Sequence, residues 1–138
     1  MDEEQLRKSI RNDPHMNDVV WGVFARNELP TCLLPGGYVV NSEDRGSPGQ
    51  HWMCVYVAED GQVEFMDSLG RKPTDYKLNL RCTYYSAPVQ GKNTDSCGLY
   101  VLYYLFWRSR GVAMHVIMAT LNKKNNDATV RAHFALLS

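Results

Sequence analysis

Val89-Gln90-Gly91-Lys92-Asn93-Thr94-Asp95-Ser96-Cys97-Gly98, running directly into Leu99-Tyr100-Val101-Leu102-Tyr103-Tyr104-Leu105-Phe106-Trp107, is the stretch from which the fold can be read. A polar, turn-rich loop ends in one Cys, and an apolar run of helical length follows at once, so Cys97 falls in the first turn of a helix. Unpaired N–H groups and the positive end of the macrodipole stabilise negative charge at such a place, so the thiol is expected to ionise below its free value of about 8.5. Gly98 removes a side chain that would crowd the sulfur. Cys97 is therefore a candidate nucleophile.

Working outward from this loop, Arg81 to Ser86 reads as a strand that leads through Ala87-Pro88 to Gln90, and Asp75 to Leu80 as a short helix. Further upstream, Trp52 to Ala58 and Gln62 to Asp67 read as two strands joined at Glu59-Asp60-Gly61. A two-residue loop would put His51 and Asp67 on opposite faces, because side chains alternate with period two. A three-residue loop with Gly61 left-handed pairs Ala58 with Gln62, Val57 with Val63 and Val55 with Phe65. His51 is then diagonal to Asp67 at roughly 7–8 Å between backbones. The apolar pattern thus selects the register that joins imidazole and carboxylate.

Glu3 to Arg11 reads as an amphipathic helix with Leu6 and Ile10 on one face, stopped at Asp13-Pro14. Val19 to Phe24 is a packing segment ambiguous between strand and helix, Tyr38 to Asn41 is a strand, and Ser42 to Gln50 is a loop that delivers the chain to His51. After the Cys97 helix, which should end near Arg110-Gly111, Val112 to Leu121 reads as a helix on the sheet, and Asn126-Asp127 as the cap of a helix from Ala128 to Leu137.

At 138 residues and 44% apolar composition, the chain suits a single α+β domain spanning 1–138. Fifteen basic and fifteen acidic residues cancel, which gives no electrostatic reason to expect DNA as a partner. The acidic start, Met1-Asp2-Glu3-Glu4, does not resemble a signal peptide, and no apolar run reaches the roughly 18 residues of a membrane span. A soluble, intracellular protein is expected. Cys32, Cys54 and Cys82 are scattered thiols, with Cys32 and Cys54 read as buried. His51 and Cys54 have a short metal-type spacing, but no second pair completes a zinc site, so no metal is expected.

A thiolate attacking an acyl carbon needs a base, an orienter for that base, and donors for the oxyanion. His51, Asp67 and Gln90 can fill those roles, with the backbone N–H of Cys97 as a second oxyanion donor. Each also has a structural reading: a buried thiol, a strand-end histidine, a turn aspartate, a loop-capping glutamine. The order His, Asp, Gln, Cys, with each residue at an element boundary, favours catalysis. His15, His115 and His133 lack such settings and read as structural or solvated.

His51-Trp52, the segment Phe65-Met66-Asp67-Ser68-Leu69-Gly70, and Val89-Gln90-Gly91 followed by Asn93 and Ser96-Cys97-Gly98-Leu99 resemble the adenovirus protease (adenain) family. Its relatives include the Ulp-type peptidases specific for SUMO and ubiquitin-like proteins, and proteases of other DNA viruses and of Polinton-type elements. Val23 to Pro30 resembles the viral and transposon branch. The resemblance implies a papain-like α+β fold with a small mixed or antiparallel sheet packed on helices, and a cysteine endopeptidase cutting at glycine-containing sites. It implies catalytic His51, Asp67, Cys97 and Gln90, and a cleft bordered by Trp52 and Gly98. Viral precursor proteins are then the expected substrates, and the host nucleus, the cytoplasm or a virion the expected location. Three departures stand out: Asp67 replaces the Glu of adenain, as in the Ulp branch; the tail after Cys97 is shorter; and Cys82, the candidate for bonding an activating peptide, is spaced differently from Gln90. A ubiquitin-like-protein peptidase, an acyltransferase and a catalytically silent binding module are the alternative readings.

Overall fold

The structure, a computed structural model, describes residues 1–45, 51–91, 94–121 and 124–137. In chain order its elements are α1 (Glu3–Asn12), α2 (Pro14–Val19), β1 (Val20–Phe24), β2 (Gly36–Asn41), β3 (Trp52–Val57), β4 (Val63–Met66), β5 (Thr83–Tyr84), α3 (Cys97–Arg108), α4 (Met114–Thr120) and α5 (Asn126–Leu137). Short 3₁₀ turns occupy Arg26–Glu28 and Pro73–Tyr76. The strands form one mixed sheet in the order β1-β2-β3-β4-β5. The outer pairs, β1 with β2 and β4 with β5, are parallel, and the inner pairs are antiparallel.

The β3–β4 hairpin has the three-residue register. Val57 pairs with Val63 and Val55 with Phe65, while the Ala58 N–H donates to Gln62 O at 2.9 Å. Gly61 takes φ +87°, a left-handed conformation that a side chain would strain. β3 is apolar on successive residues because both faces of the sheet are covered. Val39, Cys54 and Met66 face α3 in one cluster. Tyr38, Val40, Met53, Val55 and Phe65 form a second cluster with Tyr76 and Leu78 on the opposite side.

α3 is the central helix of the first cluster, burying Tyr100 through Leu105. Each large apolar side chain so buried is worth roughly 1.5–3 kcal/mol, which makes this helix a rigid platform for its first residue, Cys97. Glu64 on β4 holds the far end: Arg108 Nε donates to it at 2.9 Å and the Tyr104 hydroxyl at 2.5 Å. The N-terminal helices are tied to the same end by Arg110, whose guanidinium donates to both oxygens of Asp13 at 2.6 and 3.0 Å. α1 buries Leu6 and Ile10, and Asp13 both ends it and caps α2, where Pro14 takes the first position.

Several expectations are corrected. Cys32 is exposed rather than buried. Trp21 stands 57% exposed on edge strand β1, so that residue does not pack inward. The helix expected over 75–80 is only the turn Pro73–Tyr76, closed by Lys77 in the left-handed region, and the strand expected over 81–86 shrinks to two residues. α4 buries Ile117 and Met118 in the cluster around α3 rather than lying on the sheet, and the Thr120 hydroxyl bonds that of Tyr103 at 2.7 Å. Asn126 and Asp127 open α5 instead of preceding it, and their side chains reach into the loop before Cys97.

Candidate active site

His51 sits just before β3, and its backbone is fixed by the Ser42 N–H, which donates to His51 O at 2.9 Å. The Ser42 to Gln50 loop that delivers it is described only as far as residue 45, so its remainder lies outside the described residues. Asp67 follows β4 and is fully buried at its side chain. His51 Nε2 meets Asp67 Oδ1 at 2.5 Å, which leaves Nδ1 as the ring nitrogen for a partner on the other side. Cys97 is the imidazole's other ionisable neighbour, close enough for each to shift the other's ionisation.

The Asp67 carboxylate is saturated. Oδ1 also accepts from the Leu69 N–H at 3.2 Å, and Oδ2 accepts from the Arg71 N–H at 3.1 Å and the Tyr76 hydroxyl at 2.7 Å. Tyr76 additionally stacks on the His51 ring, with centroids 5.8 Å apart and planes at 22°. It therefore touches both members of the pair. Sequence reading placed Tyr76 in a helix and gave it no role, because a tyrosine nine residues beyond an aspartate carries no motif; only the tertiary turn at Pro73 brings it back.

The charges follow from these contacts. Burial works to raise the Asp67 carboxyl, but the His51 and Tyr76 hydrogen bonds outweigh it and hold the pKa below the ordinary value. Burial would lower the His51 imidazolium, yet the hydrogen bonds and negative charges of Asp67 and Cys97 lift it to about 9. Burial raises the Cys97 thiol, while His51, the Trp52 N–H and the Gly98 N–H together bring it below its ordinary value. The Trp52 N–H lies 3.4 Å from Sγ. Both shifts act in the direction of a thiolate–imidazolium pair. Cys54, by contrast, is wholly buried against α3 with its thiol raised well above the ordinary value, so it is an inert core residue.

Gln90 reaches the site through Ser68. Ser68 O accepts from the N–H groups of Val89 and Gln90 at 2.9 and 3.0 Å, and its hydroxyl donates to Gln90 Oε1 at 2.5 Å. The Gln90 amide nitrogen donates to Thr94 O and Oγ1 at 2.9 and 3.0 Å. Because Thr94 O can only accept, the amide orientation is chemically determined. In this state the amide is aimed at its own loop, and donation to an oxyanion requires release of the Thr94 hydroxyl.

His51, Trp52, Gln90 and Cys97 line one open cleft of about 790 Å³, the size range of small-ligand and peptide sites. Met1 lies within it. The Trp52 indole N–H donates to Met1 O at 2.9 Å, and a Cβ on Gly98 would come within 3.1 Å of the Met1 side chain. The glycine therefore makes room for the Met1 side chain. Among the described residues no group of three or more His, Cys, Asp or Glu side chains is placed to hold a metal. Cys54 is buried within β3 against α3 while His51 lies ahead of the strand beside Asp67, which separates that sequence pair. Cys82 is partly buried against the second cluster, and burial raises its thiol.

No family model and no curated protein matches the chain. Among solved structures it is similar to the central domain of the uncharacterized Lpg1148 protein from Legionella pneumophila, at 17% identity over 86% of each chain and a TM-score of 0.47. Among the described residues no helix is long and apolar enough to cross a membrane.

Proposed function

We propose that the chain is a cysteine endopeptidase of the adenain/Ulp type, with a papain-like arrangement in which Cys97 is the nucleophile. The observation that carries this reading is the unbroken contact chain Tyr76–Asp67–His51–Cys97 ending at the first residue of a buried helix. The Cys97 thiolate attacks the scissile carbonyl, forming a C–S bond, and the oxyanion is met by the Cys97 N–H and the Gln90 amide. The His51 imidazolium passes its proton to the departing amine as the C–N bond breaks. Neutral His51 then takes a proton from water, which attacks the thioester and releases Cys97. Asp67 keeps the ring oriented throughout.

Glycine-containing segments of viral or transposon precursor proteins are the proposed substrates, on the strength of the sequence resemblance. Asp67 in the acid position favours a second reading, removal of a ubiquitin-like protein from its conjugates. A glycine-containing peptide vinyl sulfone is expected to label the wild-type chain at Cys97 and leave Cys97→Ala unlabelled, and equal labelling of both would overturn the nucleophile. Faster labelling by a ubiquitin-like protein carrying a C-terminal vinyl sulfone would favour the second reading.

A further inference from the structure

Ser96 stands at the N-cap position of α3, where a serine hydroxyl ordinarily accepts a bond from the first-turn N–H groups. Here it makes no side-chain cap bond, and its backbone lies at φ −83°, ψ 1° rather than in the extended conformation of a capping residue. The hydroxyl is turned to α5. It donates to Asp127 Oδ2 at 3.3 Å and accepts from Arg131 Nη2 at 3.3 Å, so its donor and acceptor sides are both occupied by residues one helical turn apart.

Asp127 also gathers the rest of the loop. Its Oδ1 accepts from the Gly91 N–H at 3.1 Å and from the Tyr100 hydroxyl at 2.5 Å, and the Gly91 carbonyl accepts from the Thr94 hydroxyl at 3.1 Å. Thr94 in turn holds the Gln90 amide. A Cβ on Gly91 would lie 3.2 Å from Asp127 Oδ2, so the glycine permits this close approach.

We infer that Asp127 is a positioning residue that holds the Ser96 hydroxyl away from the start of α3, leaving the helix N–H groups for the Cys97 sulfur and the oxyanion. The inference rests on the proposed role of Cys97 as nucleophile. Without the carboxylate, Ser96 is free to return to its ordinary capping role, and it then competes with the sulfur for the Gly98 N–H. The other groups facing the sulfur, His51 and the Trp52 N–H, are untouched by the change.

The test is the pH dependence of Cys97 alkylation by iodoacetamide, read by peptide mass spectrometry, in wild type, Asp127→Ala and the double variant Asp127→Ala/Ser96→Ala. The alkylation midpoint is expected to rise by about 0.5–1 in Asp127→Ala, the worth of one capping bond, and to return to the wild-type value in the double variant. A purely structural loosening would not be rescued by removing a second hydroxyl. An unchanged midpoint in Asp127→Ala, or a rise that persists in the double variant, overturns the inference. If circular dichroism shows Asp127→Ala unfolded, Asp127→Leu, which keeps side-chain bulk but has no group that can bond Ser96, is read in the same way: the same rise is expected, and an unchanged midpoint is refuting. A wild-type midpoint at or above about 8.5 would instead overturn Cys97 as the activated nucleophile, and this inference with it.

Discussion

Tyr76 shows how much of the site depends on residues that do no chemistry. Its hydroxyl is the strongest neutral donor to Asp67 and its ring forms a wall for His51, so it limits both the carboxylate and the imidazole to one geometry. Tyr76→Phe keeps the wall and deletes the donor. Because a hydrogen bond to a buried charge is worth about 1.5–3 kcal/mol, the variant is expected to lose stability on that scale in a denaturant titration. The rate of probe labelling at Cys97 is expected to fall about tenfold, equivalent to about 1.4 kcal/mol in the barrier. Stability loss with unchanged labelling would show that Tyr76 serves the fold alone.

Two elements have to meet for the site to exist: the β3–β4 hairpin, which brings His51 to Asp67, and the loop before α3, which brings Gln90 to Cys97. Ser68 is the joint between them, since its neighbour Asp67 serves the first while its own carbonyl and hydroxyl hold the second. Gly70 makes the turn possible: at φ +74° a Cβ there would lie 2.6 Å from the backbone of Ala87 and Pro88. Ser68→Ala should therefore uncouple the two halves. The Cys97 alkylation profile is expected to stay as in wild type, because the His51–Asp67 pair is intact, while kcat on a cleavable peptide falls by about tenfold or more as the Gln90 amide loses its orientation. A shifted alkylation profile would contradict that separation. The hairpin was legible in advance because period-two alternation and the left-handed Gly61 both act locally. Gln90's partners were not, since Ser68 and Thr94 are ordinary turn residues until the chain folds them together.

Across the whole molecule, stability against pH isolates one half-buried histidine. His133 lies among Tyr103, Phe106 and Trp107 with ring centroids 5.1, 4.5 and 6.3 Å away, and its Nε2 is buried without a hydrogen-bond partner among the described residues. Burial, with the nearby Arg110 charge, holds its pKa below the ordinary 6.5, against a smaller opposing pull from Asp13. A folded-state pKa below the unfolded one gives stability that is complete above about 6.5 and lost as pH falls through the folded value. His51 has the opposite sign: raised to about 9, its contribution is complete below 6.5 and declines only on the alkaline side. The lowered carboxyls of Asp67, Asp13 and Asp127 act only near and below their ordinary 3.8, and that of Glu28, held down to about 2 chiefly by Arg45, near and below its ordinary 4.5. Between about pH 4.5 and 6.5 the loss of stability is therefore assigned to His133. The thermal midpoint is expected to fall across that window in wild type, and His133→Phe to flatten the fall. An equal slope in both would place the sensitive group elsewhere.

The sequence by itself determined the local devices: a Cys opening an apolar helix, a hairpin with one workable register, and an α+β content. These depend on periodicity, turn chemistry and backbone preference, which act over a few residues. Only the tertiary structure decided that α4 packs beside α3, that Cys32 is exposed, and that the strand before Gln90 is two residues long. It alone turned Asn126 and Asp127 from a helix cap into a clasp on the loop before Cys97, and brought Tyr76 onto His51. Those outcomes depend on which surfaces meet at long range, where a hydrogen bond is worth making only if both partners are already held in place.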